Sequence, residues 1–330
     1  MAAAGGRDVE RSVVRDAVAG TALLVGGEGV VAMLSGGRDS VCLLDIAVAL
    51  RGAAAVLALH CNYGLREGAD GDEALCAALC EQLGVPLVVE RPRRDGPDAT
   101  GNLHAWARDA RYGAAFRAAD GLGAAALVAT GHTASDQAET VLYRLAASPG
   151  RRALLGMAER RGRLVRPLLA ITREQTAEHC RARGLQWRED PSNDDRSFAR
   201  ARVRHELLDA LRAVHPAAEA SVVRTAAELR EESELLDELV DRELAAARAE
   251  TGAGRISLGR LRALPPGLAR LVVRRLAEDV AETLAPDAAR RHGELLALGG
   301  DGRAHAELHL GEGLRAVVER GVLRFARDAE

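Results

Sequence analysis

The chain has 330 residues, and its 45 basic and 48 acidic residues give a net charge of −3. This length allows two or three domains, and the near-balance of charges argues against a simple basic nucleic-acid-binding protein. No apolar run approaches the roughly 20 residues of a membrane span, and the N-terminus lacks the apolar segment of a secretory signal, so we expect no membrane association. Five scattered cysteines without a Cys-x-x-Cys pair favour reduced thiols and a cytoplasmic location.

Short apolar runs alternate with helical patterns over the first 130 residues. The runs predict four strands: Val30–Leu34, Val56–Leu59, Leu87–Val89 and Ala125–Ala129. Buried strands separated by helices indicate an α/β domain whose parallel sheet is covered on both faces. Ligands of such sheets bind at the carboxyl ends of the strands. Three segments follow strand ends here and are expected along one edge: Ser35–Ser40, His60–Arg66 and Thr130–Asp136.

Helices are predicted between the strands and dominate after residue 215. Asp70–Leu83 is helical, with Asp70 and Glu73 spaced as a capping box, and Asn102–Ala119 forms the next helix. Later segments predict one long charged helix, further helices broken by prolines, and a small β meander: Ala217–Ala249, Leu261–Leu298 and Glu307–Ala326. We therefore expect three domains, at residues 1–215, 216–299 and 300–330.

The segment Ser35-Gly36-Gly37-Arg38-Asp39-Ser40 lies between a predicted strand and a predicted helix. Free N–H groups at the start of a helix bind anions, glycines let the backbone come close, and serines add hydroxyl donors. The Asp39 carboxylate repels a phosphate unless a divalent metal lies between them. The hexamer therefore predicts a nucleotide site with Mg²⁺. A glycine turn of any parallel-sheet protein is the alternative.

Two common nucleotide loops are excluded. The Walker A loop needs a lysine, and all 45 residues of the lysine and arginine total are arginines. The dinucleotide fingerprint G-x-G-x-x-G does not fit Gly36-Gly37. The pattern S-G-G-x-D-S instead resembles the pyrophosphate loop (PP-loop) of the N-type ATP pyrophosphatases. That resemblance implies a loop that holds the β- and γ-phosphates of ATP while the α-phosphate is attacked.

A second group of polar residues follows the fourth predicted strand. Asp136 and Glu139 lie three residues apart, on one face near the start of a predicted helix. Two carboxylates at this edge suit a metal ion or an ammonium group, whereas capping of the helix is the alternative. His132 stands at the strand end itself, which favours a role in the site over a structural one.

Arginines concentrate in the middle of the chain. On the helix predicted from Asn102, a stripe of His104, Arg108 and Arg111 suits a phosphate or a carboxylate, or equally a solvated face. Between Arg144 and Arg212, 16 arginines against 9 acidic residues give a local charge of +7. Such a surface suits a polyanion, and a solvated helical face explains it as well.

Together these segments resemble one family, the tRNA(Ile)-lysidine synthetases, over roughly Val30 to Leu211. The resemblance rests on short motifs, which are Ser35–Ser40, His60–Arg66, Asn102–Tyr112, Asp136–Thr140, Arg166–Leu169, Asp190–Asn193 and Phe198–Leu208. It implies a PP-loop ATP pyrophosphatase domain at residues 1–215, a helical tRNA-binding domain at 216–299, and a small β segment at 300–330. It also implies a ligase that acts in tRNA modification.

The resemblance implies a two-step reaction. ATP adenylates O2 of the first anticodon cytidine in a tRNA(Ile) with the anticodon CAU, and pyrophosphate leaves. The amine of free L-lysine then displaces AMP from C2 to give lysidine. Adenylation makes the oxygen a good leaving group, and a metal with an arginine offsets the charge on the transferring phosphate. The target base must leave its stack, which an anticodon loop allows at low cost.

The family's pattern also implies roles for individual residues. ATP would bind at Ser35, Gly36, Gly37, Arg38, Asp39, Ser40 and His60. Mg²⁺ would bind Asp39 and Asp136. Lysine would bind Asp136, Glu139 and Arg111. Catalysis would involve Asp39, Asp136, Arg111 and His132, with His132 or a carboxylate as the base that deprotonates lysine. The tRNA phosphates would meet Arg200, Arg202 and Arg204.

Several positions depart from the family's motifs, namely Ser135 for an aspartate, His104 for a glutamate, Ala201 for an asparagine, and Ala147–Gly150 for R-G-S-G. Ser135 alone favours a tRNA-binding relative that has lost its chemistry. A tRNA thiolase is a further alternative, but it needs catalytic or cluster-binding cysteines that the spacing does not offer. The sequence leaves the oligomeric state open, a homodimer included.

Overall fold

The computed structural model describes residues 13–26, 29–65, 68–94, 101–148, 150–189, 196, 199–298 and 304–327. The chain divides into two compact units, Met1–Ala227 and Glu228–Glu330. The division falls within one long helix, Ala218–Thr251. The three-domain division at residues 215 and 299 stays a prediction.

The first unit is built on a sheet of six strands. They are β1 (Val30–Met33), β2 (Val56–Cys61), β3 (Leu87–Glu90), β4 (Leu127–Ala129), β5 (Arg160–Arg161) and β6 (Leu164–Val165). Their spatial order is β3-β2-β1-β4-β6-β5, and every neighbouring pair is parallel except β5 with β6. The predicted α/β class with a mostly parallel sheet is confirmed. The β5–β6 hairpin was not predicted, because β5 consists of two arginines and β6 of only two apolar residues, which is too short for a recognisable pattern.

Helices cover both faces of this sheet. They are α1 (Val13–Gly20), α2 (Arg38–Arg51), α3 (Ala69–Leu83), α4 (Leu103–Leu122), α5 (Ala134–Ala147), α6 (Arg151–Leu154) and α7 (Arg173–Ala182). Alternate residues of β1 enter different cores. Val30 and Ala32 pack in the cluster that contains Leu44 of α2, whereas Val31 and Met33 pack in the cluster that contains Ala115 of α4. Burial on both faces explains why the strands read as continuous apolar runs.

The predicted capping box of α3 is wrong. The N-cap of this helix is Gly68, which makes no side-chain hydrogen bond. The Nδ2 amide of Asn62 donates instead to Asp70 Oδ1 at 3.2 Å and to Glu73 Oε2 at 2.8 Å. The two carboxylates therefore tie the helix to the end of β2, because a tertiary partner satisfies them better than the local backbone does.

The first unit ends with α8 (Ala199–Arg202), a π-helical turn (Val203–Leu207), α9 (Leu208–Val214) and the start of α10 (Ala218–Thr251). The second unit continues α10 and contains β7 (Arg255–Ser257), α11 (Leu258–Ala263), α12 (Pro266–Ala281), α13 (Pro286–Arg290), α14 (His292–Ala297), β8 (His305–His309), β9 (Leu314–Glu319) and β10 (Val322–Arg327).

The second unit combines helices with an antiparallel sheet in the order β7-β10-β9-β8. The β meander predicted for the tail is confirmed, and β7 extends it. The strands share one core with the helices, in which Ile256, Val318 and Leu323 pack with Leu276 of α12. In the part of the chain that the structure describes, none of the helices is both long enough and apolar enough to span a membrane.

Candidate active site

The SGGRDS segment forms the turn between β1 and α2. The helix begins at Arg38 with Gly37 as its N-cap, and no described side chain caps it, so its first N–H groups remain available to a ligand. The backbone N–H of Ser35 donates to Ser40 Oγ at 3.1 Å, and Ser40 Oγ donates to the Gly37 carbonyl at 2.8 Å. Gly36 has φ of +83°, which favours glycine. The turn is therefore fixed before any ligand binds.

Gly131 holds the end of β4 directly against this turn. A Cβ atom there would lie 2.9 Å from the Asp39 carbonyl oxygen and 3.1 Å from the Ser40 nitrogen. Such contacts are too close for a side chain, so only glycine permits this approach. The close approach brings His132 and the start of α5 next to the turn.

Three carboxylates from two helices gather around one arginine. The Arg173 guanidinium, at the start of α7, donates to Asp136 Oδ1 at 2.5 Å and to Glu139 Oε1 at 2.7 Å. Its Nε lies 3.8 Å from Asp39 Oδ2. We call Asp39, Asp136 and Glu139 the carboxylate cluster. The three acidic residues predicted to serve ATP, metal and lysine therefore meet at one place.

Further hydrogen bonds hold each carboxylate. Thr176 donates to Asp39 Oδ1 at 2.5 Å. Asp136 Oδ2 accepts from the N–H and the hydroxyl of Thr133, both at 2.9 Å, in the capping box of α5. Capping, the alternative considered for Asp136, therefore occurs together with membership of the cluster.

Glu139 is the most enclosed member of the cluster. Its side chain is 6% exposed, and a second arginine, Arg204 of the π-helical turn, donates to Oε1 at 2.8 Å and to Oε2 at 3.3 Å. Two guanidinium groups face this deeply buried carboxylate and replace the water that it has lost. In this structure Arg204 thus lies in the cluster, and its predicted contact with RNA stays a prediction.

Burial and neighbouring charge set different pKa values within the cluster. Burial raises the pKa of Asp39 above its usual value, although the Thr176 hydrogen bond and the Arg38 and Arg173 guanidinium groups oppose the rise. Burial acts in the same direction on Asp136, but Arg173 and the hydrogen bonds from Thr133 outweigh it and leave the pKa of Asp136 below its usual value. An added cation would therefore favour the ionised form of Asp39, which burial disfavours.

His132 is neutral at pH 7. Burial lowers the pKa of this imidazole to about 4, with smaller contributions from nearby arginines and an opposing one from Asp136. Its Nδ1 lies 2.8 Å from the Thr130 hydroxyl. A neutral ring can accept a proton or a hydrogen bond, as the predicted role of a base requires.

The predicted stripe on α4 lies partly near this edge. The positive charge of Arg111 and of Arg108 contributes to lowering the pKa of His132. The Arg111 Nε is buried and has no hydrogen-bond partner among the described residues. The Arg108 guanidinium lies over the Tyr112 ring at 4.8 Å from its centroid. An unpaired buried donor suits an anion that is added later.

Other predicted residues have structural contacts. His60 is buried, with Nδ1 2.9 Å from the Leu34 carbonyl oxygen. Arg38 donates to Asp39 Oδ1 at 3.2 Å. Arg200 is exposed, and Arg202 donates to the Arg196 carbonyl at 3.1 Å. The roles of these residues in binding ATP and tRNA stay predictions. Arg66, Asp190–Asn193 and Phe198 lie outside the described residues.

The cluster fits a magnesium ion only with help from a ligand. Mg²⁺ usually binds one or two carboxylates and completes its shell with water and substrate phosphates. Asp39 lies 3.8 Å from Arg173 Nε and Asp136 lies 2.5 Å from Arg173 Nη2, so both carboxylates adjoin one guanidinium group. Among the described residues, no group of three or more His, Cys, Asp or Glu side chains has the arrangement of a metal site. Oxygens of a substrate phosphate would therefore have to complete the ligands of the magnesium ion.

Sequence reasoning missed Arg173 and Thr176. Both lie on α7, which begins with a capping box between Thr172 and Gln175. The T-x-x-Q spacing after Arg166-Pro167-Leu168-Leu169 predicts a helix start there. The start of α7 follows the segment after the carboxyl end of β6. The sequence therefore contained a signal that Arg173 lies at the ligand-binding edge of the sheet.

Comparisons with known proteins agree with this geometry. The PP-loop domain family matches residues 14–211. The chain is 44% identical over 220 residues to the tRNA(Ile)-lysidine synthase of Pseudomonas fluorescens, covering 64% of this chain and 48% of that protein. It is 40% identical over 296 residues to the tRNA(Ile)-lysidine synthase of Salinispora tropica, covering 88% of both. The chain belongs to the tRNA(Ile)-lysidine synthase family, whose members contain this PP-loop domain.

The match differs in extent among relatives. The chain spans about half the length of the Pseudomonas relatives, 48% in Pseudomonas fluorescens and 49% in Pseudomonas aeruginosa. The PP-loop domain implies ATP as the nucleotide.

A solved structure shares the fold. The U34-tRNA thiolase NcsA from Methanococcus maripaludis, with its [4Fe-4S] cluster, superimposes with a TM-score of 0.55 at 18% identity and covers 66% of this chain and 78% of that one. The likeness supports the predicted architecture of the first unit. It does not favour a thiolase here, because Cys42, Cys76, Cys80 and Cys180 are buried, and burial raises the pKa of the half-buried Cys61 as well. Burial also raises the pKa of Cys76 to about 12 and of Cys80 to about 11.

Proposed function

We propose that this chain uses ATP to join L-lysine to C2 of the first anticodon cytidine of a tRNA(Ile) with the anticodon CAU. The cytidine O2 attacks the α-phosphate, and pyrophosphate leaves. The lysine amine then attacks C2, and AMP leaves with O2 to give lysidine. Membership of the family supports this reaction, and so does the composition of the site.

The observation that carries the proposal is the position of the carboxylate cluster. A nucleotide site alone needs positive charge and backbone donors, as the PP-loop supplies. Three carboxylates directly beside it do not serve the binding of phosphates, and in this structure they pair with arginines of the chain. They suit a second, cationic ligand that can replace such a pairing. Free lysine is such a ligand, and Asp136 and Glu139 suit its ammonium group.

Asp39 would hold Mg²⁺ against the phosphates, with Asp136 as its second carboxylate. The metal would offset negative charge on the transferring phosphate. Ser35, Ser40 and the N–H groups around Gly36 and Gly37 would bind the β- and γ-phosphates. Arg111, whose Nε is buried without a partner among the described residues, would pair with a phosphate or with the lysine carboxylate.

His132 would take the proton that lysine must lose before it attacks. Its pKa of about 4 makes it a weak base in the empty site. An anion bound nearby favours the charged imidazolium and raises that pKa, so a bound phosphate would make the ring a better base. The neutral ring also avoids repelling the incoming ammonium group.

Arg200 and Arg202 would contact tRNA phosphates from the surface beside the site. A tRNA substrate is consistent with the cytoplasmic location predicted from the cysteines. The rejection of methionine tRNA, which shares the anticodon, would use other parts of the tRNA.

The direct test uses purified protein, Mg²⁺-ATP, radiolabelled L-lysine and a tRNA(Ile) transcript with the anticodon CAU. We expect acid-precipitable label on this tRNA and none on methionine tRNA. No label together with cleavage of ATP to AMP and pyrophosphate would point to another nucleophile. No label and no cleavage would support a binding protein without chemistry.

A second test separates the lysine site from the nucleotide site. The substitution Glu139→Gln keeps the shape but removes the charge, so the KM for lysine should rise about 10-fold or more, as expected for one lost charge-assisted hydrogen bond. The KM for ATP should change by less than about 2-fold, since Glu139 is not among the residues proposed to bind ATP. A larger effect on ATP than on lysine would contradict the assignment.

A further inference from the structure

In the structure the proposed lysine site is already filled by an arginine. Arg173 makes the two contacts that the lysine ammonium group needs, with Asp136 Oδ1 at 2.5 Å and with Glu139 Oε1 at 2.7 Å. The Arg173 side chain is only 17% exposed. A cation of this chain thus stands where a cationic substrate is expected.

The hydrogen-bonding capacity of the two carboxylates decides whether both cations fit. Each ionised carboxylate offers about four acceptor positions. Asp136 already accepts three hydrogen bonds, one from Arg173 and two from Thr133. Glu139 also accepts three, one from Arg173 and two from Arg204. About two positions therefore remain for the three N–H donors of an ammonium group.

Withdrawal of Arg173 changes this count. Each carboxylate regains one position, so about four are available, enough for all three donors. Withdrawal also removes the repulsion between two positive charges at the same carboxylates. Lysine and Arg173 therefore compete for Asp136 and Glu139, and tight binding of lysine requires Arg173 to leave.

The structure also indicates where Arg173 can go. Its Nε lies 3.8 Å from Asp39 Oδ2, at the start of α2 beside the PP-loop. One side chain thus reaches both the nucleotide turn and the lysine carboxylates. A phosphate carries more negative charge than one carboxylate and matches a guanidinium in a two-point contact. Bound ATP would draw Arg173 from the cluster toward the phosphates.

We propose that Arg173 is a positioning residue that orders substrate binding, because it occupies the lysine site until ATP draws it away. This inference rests on the proposed function, since it takes Asp136 and Glu139 as the lysine site. It makes the affinity for lysine depend on ATP. By reciprocity, lysine raises the affinity for ATP by the same factor.

Calorimetry of lysine binding tests this directly. L-Lysine is titrated into the full chain with Mg²⁺, with and without α,β-methylene-ATP, which cannot be cleaved between its α- and β-phosphates. We expect the analogue to tighten lysine binding about 10-fold or more in the wild type. In Arg173→Ala, lysine should bind without the analogue at least as tightly as the wild type does with it, and the analogue should no longer tighten it.

Two further variants serve as a substitute for Arg173→Ala and as a control. Arg173→Gln keeps hydrogen-bonding capacity without the charge. It should give the result expected for Arg173→Ala, and it replaces that variant if the alanine protein fails to fold. Arg181→Ala removes an arginine from the same helix whose guanidinium lies over the Trp187 ring at 6.0 Å from its centroid. This control should retain the dependence on the analogue. Retention of that dependence in both Arg173 variants would overturn the inference.

The outcomes separate this inference from the proposed function. Equal lysine affinity with and without the analogue in the wild type overturns the ordering role alone, because lysine still binds. Absence of lysine binding in every variant, with the analogue present, overturns the lysine site and the inference with it. Tighter lysine binding in Arg173→Ala that Glu139→Gln abolishes in the double variant supports both.

Discussion

Two groups of charged residues join α2 to α7, and they differ in what they leave open. At the start of α2, Asp39 meets Thr176 and Arg173. Six residues later, Asp45 meets His179 at 2.8 Å and Arg183 at 3.1 Å. Both groups use an aspartate of one helix and basic or hydroxyl side chains of the other, so residue types alone do not tell them apart.

Burial and the count of partners tell them apart. The Asp45 and His179 side chains are each 3% exposed, and both Asp45 oxygens are engaged by His179 and Arg183. Asp45 accepts three hydrogen bonds, and burial closes its remaining acceptor position to a ligand. The carboxylate cluster has three carboxylates against Arg38, Arg173 and Arg204, and its Asp39 and Asp136 side chains are 22% and 23% exposed at the PP-loop edge. The inner group is closed and joins the two helices, whereas the outer group is accessible to a substrate.

The pKa shifts of the two aspartates have opposite signs. Burial raises the pKa of Asp39, and its partners only partly offset the rise. Burial acts likewise on Asp45, but the hydrogen bonds from His179 and Arg183 leave its pKa below the usual value. The ionised form of Asp39 is therefore unfavourable in the folded protein, whereas that of Asp45 is favourable. A carboxylate held at such a cost points to a functional role.

The largest expected effect separates these two aspartates. Asp39→Asn should lower lysine incorporation on the order of 10²–10³-fold, since it removes charge that acts on the transferring phosphate. Its free energy of unfolding should be unchanged or slightly raised, because the neutral form suits the site. Incorporation assays and urea unfolding measure both. Activity within a factor of two of the wild type would remove Asp39 from the mechanism.

The matched change in the inner group should affect stability instead. Asp45→Asn should lower the free energy of unfolding by about 3 kcal/mol, because it leaves His179 and Arg183 without their carboxylate. The stabilisation by Asp45 is present above its unfolded pKa of 3.8 and is lost as the pH falls through the lowered folded value. The deficit relative to the wild type should therefore shrink below about pH 4. A constant deficit would show that the charge is not its source.

Gly131 gives a smaller effect on activity alone. Gly131→Ala should lower kcat about 10-fold, because a Cβ 2.9 Å from the Asp39 carbonyl oxygen forces the PP-loop to shift by tenths of an ångström. Gly121→Ala in α4 is the matched control, since nothing lies within 4 Å of its added Cβ. That control should keep full activity. Equal activity in both variants would show that the contact at Gly131 is not needed.

The effect that is smallest at pH 7 concerns His132 and the pH dependence of stability. Its folded pKa of about 4 lies below its usual value of 6.5, so the unfolded state binds a proton first as the pH falls. The wild type should therefore lose up to about 1.4 kcal/mol per pH unit from this residue between those values. His132→Gln should lose less stability between pH 7 and pH 5. If the wild type and His132→Gln lose equal stability between pH 7 and pH 5, the His132 imidazole has an unshifted pKa and is accessible to water.

Much of the fold could be predicted from local patterns. The four main strands and the helices α3, α4 and α10 were expected within a few residues of their observed bounds, because apolar periodicity and terminal glycines are local signals. The capping box at Asp70 and Glu73 failed for a tertiary reason. Asn62, eight residues before Asp70, supplies a partner that no local rule contains.

The candidate site divides in the same way. The sequence by itself determined the PP-loop, since Ser35–Ser40 needs only its own glycines and hydroxyls to form an anion site. It also determined that Asp136 and Glu139 share a helix face. Only the tertiary structure decided that Arg173 and Arg204 fill that face, because their pairing with carboxylates 34 and 65 residues away depends on how the helices pack. Long-range ion pairs leave no periodic trace in a single sequence, so such contacts are read from the fold alone.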